Sequence, residues 1–208
     1  MTSEDAFRAA SKLIAQGNQV GAVELLREEL GMARARLDKE EAATIGSFLA
    51  PLLGGLGRDE EAISTYLEAE ADDPENSYIK LHLASFLTHN LGRPGEALPR
   101  ITAALPGLAE LPSSFHSGQA VLGSTLLALD RLEEAAGAFR RMTTSRVLKR
   151  LPAVSCDLRL VSGLTKKHLL PEECRAYLAA IVRKAEDEGD AGIREHALSV
   201  LSKFQDGS

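Results

Sequence analysis

The sequence has no tryptophan, few aromatic residues, two cysteines and no long apolar run. Aromatic residues make up 4% of its 208 positions. The longest apolar stretch, FLAPLLGGLG at 48–57, is too short to cross a bilayer and contains one proline and three glycines. The first ten residues show no basic region followed by an apolar stretch, so no secretory signal is predicted. These absences argue against a membrane-embedded or secreted protein.

The cysteines and the net charge narrow the possibilities further. Cys156 and Cys174 share no spacing typical of a metal site and no disulfide-rich context, so we expect reduced thiols and a cytoplasmic location. The formal net charge is −6. General nucleic-acid binding needs a basic surface that displaces counterions, so no nucleic acid is expected among the partners.

The sequence does contain a repeated pattern of apolar and small residues. Each copy has an adjacent pair, a leucine three residues after the pair, then an alanine, and a large apolar residue four positions after that alanine. The four copies are Ala9, Ala10, Leu13, Ala22 and Leu26; Leu49, Ala50, Leu53, Ala62 and Tyr66; Leu83, Ala84, Leu87, Ala97 and Ile101; and Leu122, Gly123, Leu126, Ala135 and Phe139. Such repetition, without the period-two alternation of strands, predicts pairs of helices.

This pattern resembles the tetratricopeptide repeat family. The copy from Ala43 to Asn76, with Gly57 at its turn and Pro74 near its end, matches most closely. The repeat alanines are 40, 35 and 38 residues apart, against a family period of about 34. The resemblance implies an all-α, right-handed α-α superhelix of ten to eleven helices. Residues 1–150 would form the repeat solenoid, and residues 151–208 would form C-terminal helices that cap it.

Several local features of these helices can also be predicted. Pro51 should kink the third helix, because proline lacks the backbone N–H that the helix needs. Gly54 and its glycine neighbours should unwind the end of that helix. After the repeats, Pro152 should open a helix that includes Val161, and Pro171 should open another. The last helix should span about 192–204.

No motif for catalysis or for a cofactor is present. The segment GGLGRD at 54–59 follows a helix rather than a strand, which favours a turn over a phosphate-binding loop. His82 and His89 lie seven residues apart on one helix, about 10 Å at a rise of 1.5 Å per residue, which is too far for one zinc ion. We therefore expect no enzymatic activity, no catalytic residue, no cofactor and no metal.

The resemblance also implies where a partner would bind. In related proteins the first helix of each repeat lines a concave groove. The matching positions here are Phe7, Ser11, Ser47, Pro51, Tyr78, Leu81, Ser85, His89, Ala120 and Ser124, with His82 close by. We expect partner contacts at Tyr78, His82, Ser85, His89, Ser47 and Ser124. The family's lysine, arginine and asparagine clamp for acidic chaperone tails is absent, which disfavours that ligand.

A basic stretch is the competing candidate site. Its members are Arg140, Arg141, Arg146, Lys149 and Arg150, with no acidic residue among them. On an acidic protein such a stretch can steer an acidic partner. The simpler interpretation is a solvated helix end with cations near its negative pole.

The favoured function is a non-catalytic interaction module, such as an adaptor, assembly factor or chaperone-like scaffold, that holds a partner peptide or helix in its concave groove. The alternatives are a peptide-sensing regulatory subunit of an enzyme and, less favoured, an enzyme of unrecognised chemistry. The partner's identity, the biological process and the oligomeric state do not follow from the sequence.

Overall fold

The computed structural model describes residues 3–144, 151–153 and 156–203. These residues form eleven α-helices, and no strand occurs among them. The chain divides into two compact units, Met1–Leu91 and Gly92–Ser208, called here the N-terminal and C-terminal units. The predicted all-α fold of ten to eleven helices is confirmed. The predicted division at residue 150 stays a prediction.

Of the helices formed by the described residues, five belong to the N-terminal unit and six to the C-terminal unit. The helices of the N-terminal unit are α1 (Ser3–Ala15), α2 (Gln19–Ala35), α3 (Lys39–Gly55), α4 (Asp59–Asp72) and α5 (Ser77–His89). Those of the C-terminal unit are α6 (Pro94–Leu108), α7 (Pro112–Ala128), α8 (Leu132–Met142), α9 (Arg159–Lys166), α10 (Pro171–Glu188) and α11 (Ala191–Ser202).

Within each unit, helices that follow one another in the sequence pack together. Examples are α1 with α2, α3 with α4, α7 with α8, and α10 with α11. The four repeat alanines Ala22, Ala62, Ala97 and Ala135 are all fully buried. A small side chain at these positions lets the helices approach closely, which explains why the pattern repeats alanine there.

The helices α4, α6 and α8 begin with the same ion pair between an arginine and a glutamate. Arg58, Arg93 and Arg131 each precede a helix and pair with a glutamate three residues later, Glu61, Glu96 and Glu134, with 2.6 Å between Nε and Oε1 in all three. The residue before each arginine has a left-handed backbone, at Gly57, Gly92 and Asp130. The helices α2, α3 and α11 instead begin after Asn18, Asp38 and Asp190, whose side chains accept a backbone N–H of the first turn.

The helix α3 ends among the predicted glycines, with one difference. Gly54 does not unwind the helix, which continues to Gly55. A Cβ at Gly54 would lie 2.4 Å from Cε2 of Phe86. The glycine is therefore needed because the Phe86 ring of α5 packs directly against the α3 backbone. The helix also passes through Pro51.

The prediction that Pro152 opens a helix reaching Val161 is wrong. The helix α9 begins only at Arg159. The Ala153 amide donates to Glu188 at 2.7 Å, and the Asp157 amide donates to His116 at 3.2 Å. These amides bond to side chains distant in the sequence rather than to carbonyls of a local helix turn. By contrast, Pro171 does open α10. The predicted last helix begins at Ala191 and ends at Ser202, while Phe204 lies outside the described residues.

Candidate functional site

A groove of about 380 Å³ opens on the N-terminal unit between α3, α4 and α5. Nine residues line it: Ser47, Phe48, Pro51, Gly55, Tyr66, His82, Ser85, Phe86 and Asn90. None of these nine is an acidic residue, a lysine or an arginine. The groove therefore combines aromatic surface with a few neutral polar groups.

Three of the nine lining residues are aromatic. Phe48 is 53% exposed although it is a large apolar side chain. Its ring stacks on that of Phe7 from α1, with 4.4 Å between the centroids. Deeper in the groove, Tyr66 and Phe86 are buried, with their ring centroids 6.0 Å apart. Phe48 is therefore accessible to a ligand, while Tyr66 and Phe86 form the buried base of the groove.

The α3 side of the groove has little side-chain bulk. Ser47, Pro51 and Gly55 are four residues apart, so they lie on one face of the helix. Because Pro51 has no N–H, the carbonyl of Ser47 lacks its α-helical donor. A Cβ at Gly55 would meet no atom within 4 Å. A ligand can therefore approach the α3 backbone closely.

His82 is the ionisable group that most affects the charge of the groove. Its side chain reaches solvent, but the groove partly excludes water from the ring. This desolvation lowers the pKa of the imidazole below its ordinary 6.5. Burial also raises the pKa of the Tyr66 hydroxyl. Both groups are therefore neutral at pH 7, and so is the lining as a whole.

The structure brings together part of the predicted site. Ser47, His82, Ser85 and also Pro51 line the groove. Tyr78 lies on the first turn of α5 with 43% of its surface exposed, and His89 is the last residue of that helix, but neither lines the groove. Binding of a partner at these residues stays a prediction.

Other positions matched from the repeat register lie elsewhere. Leu81 and Ala120 are buried in the core, so their predicted groove-lining role is wrong. Ser124 lies on α7 in the C-terminal unit. Ser11 is exposed on α1. Register alone does not tell which side of a first helix is covered by its neighbours.

Five groove residues were not predicted from the sequence as lining residues, namely Phe48, Gly55, Tyr66, Phe86 and Asn90. Phe48 lies in the apolar run at 48–57, and Gly55 belongs to the glycines predicted to unwind the end of α3. Phe86 precedes the repeat leucine Leu87, so periodicity would place it in the core. The sequence signal that could have placed Phe86 against α3 was Gly54, since a glycine inside a helix allows an aromatic ring to pack closely against the backbone.

The described members of the basic stretch have partners within the C-terminal unit. Arg140 pairs with Glu173 of α10 at 3.2 Å. Arg141 donates from Nε to Gln119 of α7 at 2.9 Å. Arg146, Lys149 and Arg150 lie outside the described residues. Whether this stretch binds a partner stays a prediction.

Two further features are absent from the described residues. Within the part of the chain that the structure describes, no group of three or more His, Cys, Asp or Glu residues could hold a metal ion. Among the helices of that same part, none is both long and apolar enough to cross a membrane.

Comparison with known proteins identifies the fold. No family model matches the sequence, and no curated protein matches it. Solved structures do match. PilF of Pseudomonas aeruginosa is 20% identical with a TM-score of 0.65, over 99% of this chain and 93% of that one. PilW, described as a widely conserved type IV pilus biogenesis factor, is 14% identical with a TM-score of 0.66, over 99% and 94%.

A structure named for the repeat itself also matches. A tetratricopeptide repeat protein from Parabacteroides merdae is 16% identical with a TM-score of 0.60, over 97% of this chain and 74% of that one. At these identities the likeness concerns the fold alone. The chain has a tetratricopeptide-repeat-like fold, as the repeat pattern predicted.

Proposed function

We propose that this chain is a non-catalytic protein-interaction module that holds a segment of a partner protein in the groove of its N-terminal unit. The observation that supports this most is the neutral groove of about 380 Å³ with the exposed ring of Phe48 at its wall. Ligand-binding clefts usually measure about 300–1,000 Å³ and are mostly apolar with a few polar groups. The repeat fold, common among protein scaffolds, agrees with this role.

The chemistry of the groove favours apolar partner side chains. A charged side chain placed there would lose water without gaining an oppositely charged partner from the nine lining residues. Aromatic surface offers a large contact area, and aromatic residues are enriched at binding hot spots. Ser85, His82 and Asn90 supply neutral hydrogen-bonding groups that can orient the segment.

The basic stretch is less suited to hold the partner. Arg140 and Arg141 already bond within the C-terminal unit, so a partner would have to compete with Glu173 and Gln119. Interactions between exposed charges are also weak and screened by salt.

A non-catalytic role and a cytoplasmic location complete the proposal. Cys156 and Cys174 are both free and buried, as expected for thiols in a reducing compartment. Burial raises the pKa of the Cys156 thiol to about 11 and that of Cys174 to about 12. Such thiols carry little thiolate at neutral pH and make poor nucleophiles.

A single substitution can block the groove without disturbing the fold. Gly55→Leu places a side chain in open space at the groove wall, and it replaces a helical glycine, so stability should not fall. Gly31→Leu is the matched control, because Gly31 is a helical glycine of α2 with no atom within 4 Å of a Cβ and does not line the groove. Each variant is immobilised and used to capture partners from the native cytoplasm.

We expect a partner that binds the wild type and Gly31→Leu equally but is lost with Gly55→Leu. If Gly55→Leu retains every protein captured by the wild type, the groove is not the binding site. If the same partners are lost with the double charge reversal Arg140→Glu, Arg141→Glu, the basic stretch is the site instead.

A further inference from the structure

A fully buried histidine joins three parts of the C-terminal unit. His116 lies on α7 with 0% of its surface exposed. Its Nδ1 is 3.4 Å from the carbonyl oxygen of Met142 at the end of α8, and its Nε2 is 3.2 Å from the backbone nitrogen of Asp157. The hydroxyl of Tyr177, from α10, lies 3.4 Å from the same Nε2 and donates to the carbonyl of Asp157 at 3.3 Å.

These contacts fit only a neutral imidazole. The carbonyl of Met142 can only accept, so the proton of the neutral ring belongs on Nδ1. The backbone N–H of Asp157 can only donate, so Nε2 must accept. A proton added to Nε2 would face that N–H. The Tyr177 oxygen is the nearest acceptor for the proton, but using it still leaves the Asp157 N–H without its acceptor.

The groups around His116 have opposing effects on the pKa of its imidazole. Burial lowers the pKa of the His116 imidazole below 6.5, while the Met142 carbonyl and the charge of Asp157 raise it, with burial the largest effect. Arg159 of α9 holds the Asp157 carboxylate at 2.7 Å. On α10, Tyr177 and Cys174 are buried with raised pKa values and stay neutral. Lys184 lowers and Glu188 raises the pKa of the Cys156 thiol. Arg140 and Arg141 of α8 bond to Glu173 and Gln119.

The segment that His116 holds also shapes a cleft. Cys156 and Leu158, on either side of Asp157, are each 5% exposed. With Asp157, Arg159, Ser113, Ser117, Ile193 and His196, they line an open cleft of about 410 Å³ in the C-terminal unit. Loss of the bond to Asp157 would free this wall of the cleft.

We propose that neutral His116 is an acid-sensitive latch, which holds residues 156–158 against α7 and α10 and releases them when the ring is protonated. Release exposes Cys156 and Leu158 while the helices of the unit stay folded. The direction follows from linkage. A histidine whose pKa is lowered by folding takes up its proton more readily once released, so the latched form is favoured above about pH 6.5 and loses stability as pH falls below that value.

Thiol labelling of the full chain tests this proposal, because the two cysteines report on different events. Cys156 lies in the latched segment, whereas Cys174 is fully buried within α10. The reagent is 4,4′-dithiodipyridine, with labelled cysteines located by mass spectrometry. Between about pH 7.5 and about pH 5 we expect labelling of Cys156 to rise at least about tenfold while Cys174 stays protected. Labelling of both cysteines together would mean global unfolding and would overturn the latch.

Two substitutions assign the effect to His116. His116→Gln keeps a neutral donor and acceptor at this position, so it should abolish the acid-induced rise in Cys156 labelling. His196 is an exposed histidine of the same cleft, and His196→Gln should keep that rise. An unchanged rise in His116→Gln refutes the proposal. If that variant does not fold, an NMR titration of the wild type decides. The His116 ring must titrate with a midpoint below pH 6.5, and the Asp157 amide signal must shift with the same midpoint. A midpoint at or above pH 6.5, or an Asp157 amide signal that does not follow the ring, refutes the latch.

Discussion

At the scale of single residues, the turns show where backbone geometry selects the side chain. Gly17, Gly57, Gly92 and Gly189 all have positive φ. Leu37 occupies the corresponding place between α2 and α3 with φ of 59°, and it is 86% exposed. A leucine gains nothing from burial there and is strained by its Cβ, since the left-handed conformation costs an L-residue roughly 1–2 kcal/mol.

Leu37→Gly should therefore stabilise the protein. The expected gain is about 1 kcal/mol, because relief of strain exceeds the added entropy of the unfolded chain. Chemical denaturation measures it. Met32→Gly is the control, since Met32 lies within the helix α2 and its replacement should cost about 1 kcal/mol instead. A destabilised Leu37→Gly would show that this leucine makes a contact that outweighs the strain.

At the scale of helices, α3 combines poor helix-forming residues with a functional position. Pro51 interrupts the hydrogen bonding of α3, and Gly54 and Gly55 follow within one turn. Gly54 is explained by the Phe86 ring, but Pro51 and Gly55 face the open groove. Residues that lower the stability of a helix and line a groove are typical of functional sites.

Pro51→Ala should raise the stability of the protein. Alanine restores the backbone bond to the Ser47 carbonyl and removes a penalty of up to about 3 kcal/mol for proline inside a helix. The expected gain is about 1–3 kcal/mol in the unfolding free energy. Pro99→Ala, which replaces an exposed proline inside α6, should also stabilise and serves as a positive control. No gain at Pro51 alongside a gain at Pro99 would mean that α3 is adapted to its proline.

A helix can be predicted from the sequence when the residues that set its ends lie within or next to it. The bounds of α1, Ser3–Ala15, follow from local signals, since Glu4 and Asp5 lie in its first turn and Gly17 comes shortly after its end. The segment around Pro152 was predicted wrongly, because its amides bond to His116 and Glu188, and no local pattern encodes contacts 35 and 41 residues away.

The groove shows the same limit. Repeat register located Ser47, Pro51 and Ser85, since these positions follow from the family pattern, and His82 was expected close by. It did not find Phe48 or Phe86, because aromatic residues on an apolar stripe look like core until the neighbouring helices are placed.

At the scale of the whole molecule, the last two described helices share an apolar face. In the C-terminal unit, Tyr177, Leu178 and Ile181 of α10 belong to the same buried cluster as Ala197 and Val200 of α11. We predict that these helices cover the repeat array, because an uncovered apolar face promotes association.

Truncation after Gly189, which removes α11, should therefore lower the thermal stability of the protein and cause it to aggregate. Thermal unfolding and size-exclusion chromatography measure the two effects. A truncated chain that stays monomeric with the wild-type melting temperature, but no longer captures the partner, would make α11 a binding element rather than a cover.

Above all, we propose that the partner lies in the groove of the N-terminal unit. Site-specific photo-crosslinking tests it most directly, with p-benzoyl-phenylalanine placed at Ser85 in the groove or at Arg140 in the basic stretch of the full chain. We expect that a partner captured by the wild type crosslinks through position 85 and not through position 140, and that Gly55→Leu abolishes the crosslink. Crosslinking through position 140 alone, unaffected by Gly55→Leu, would contradict it.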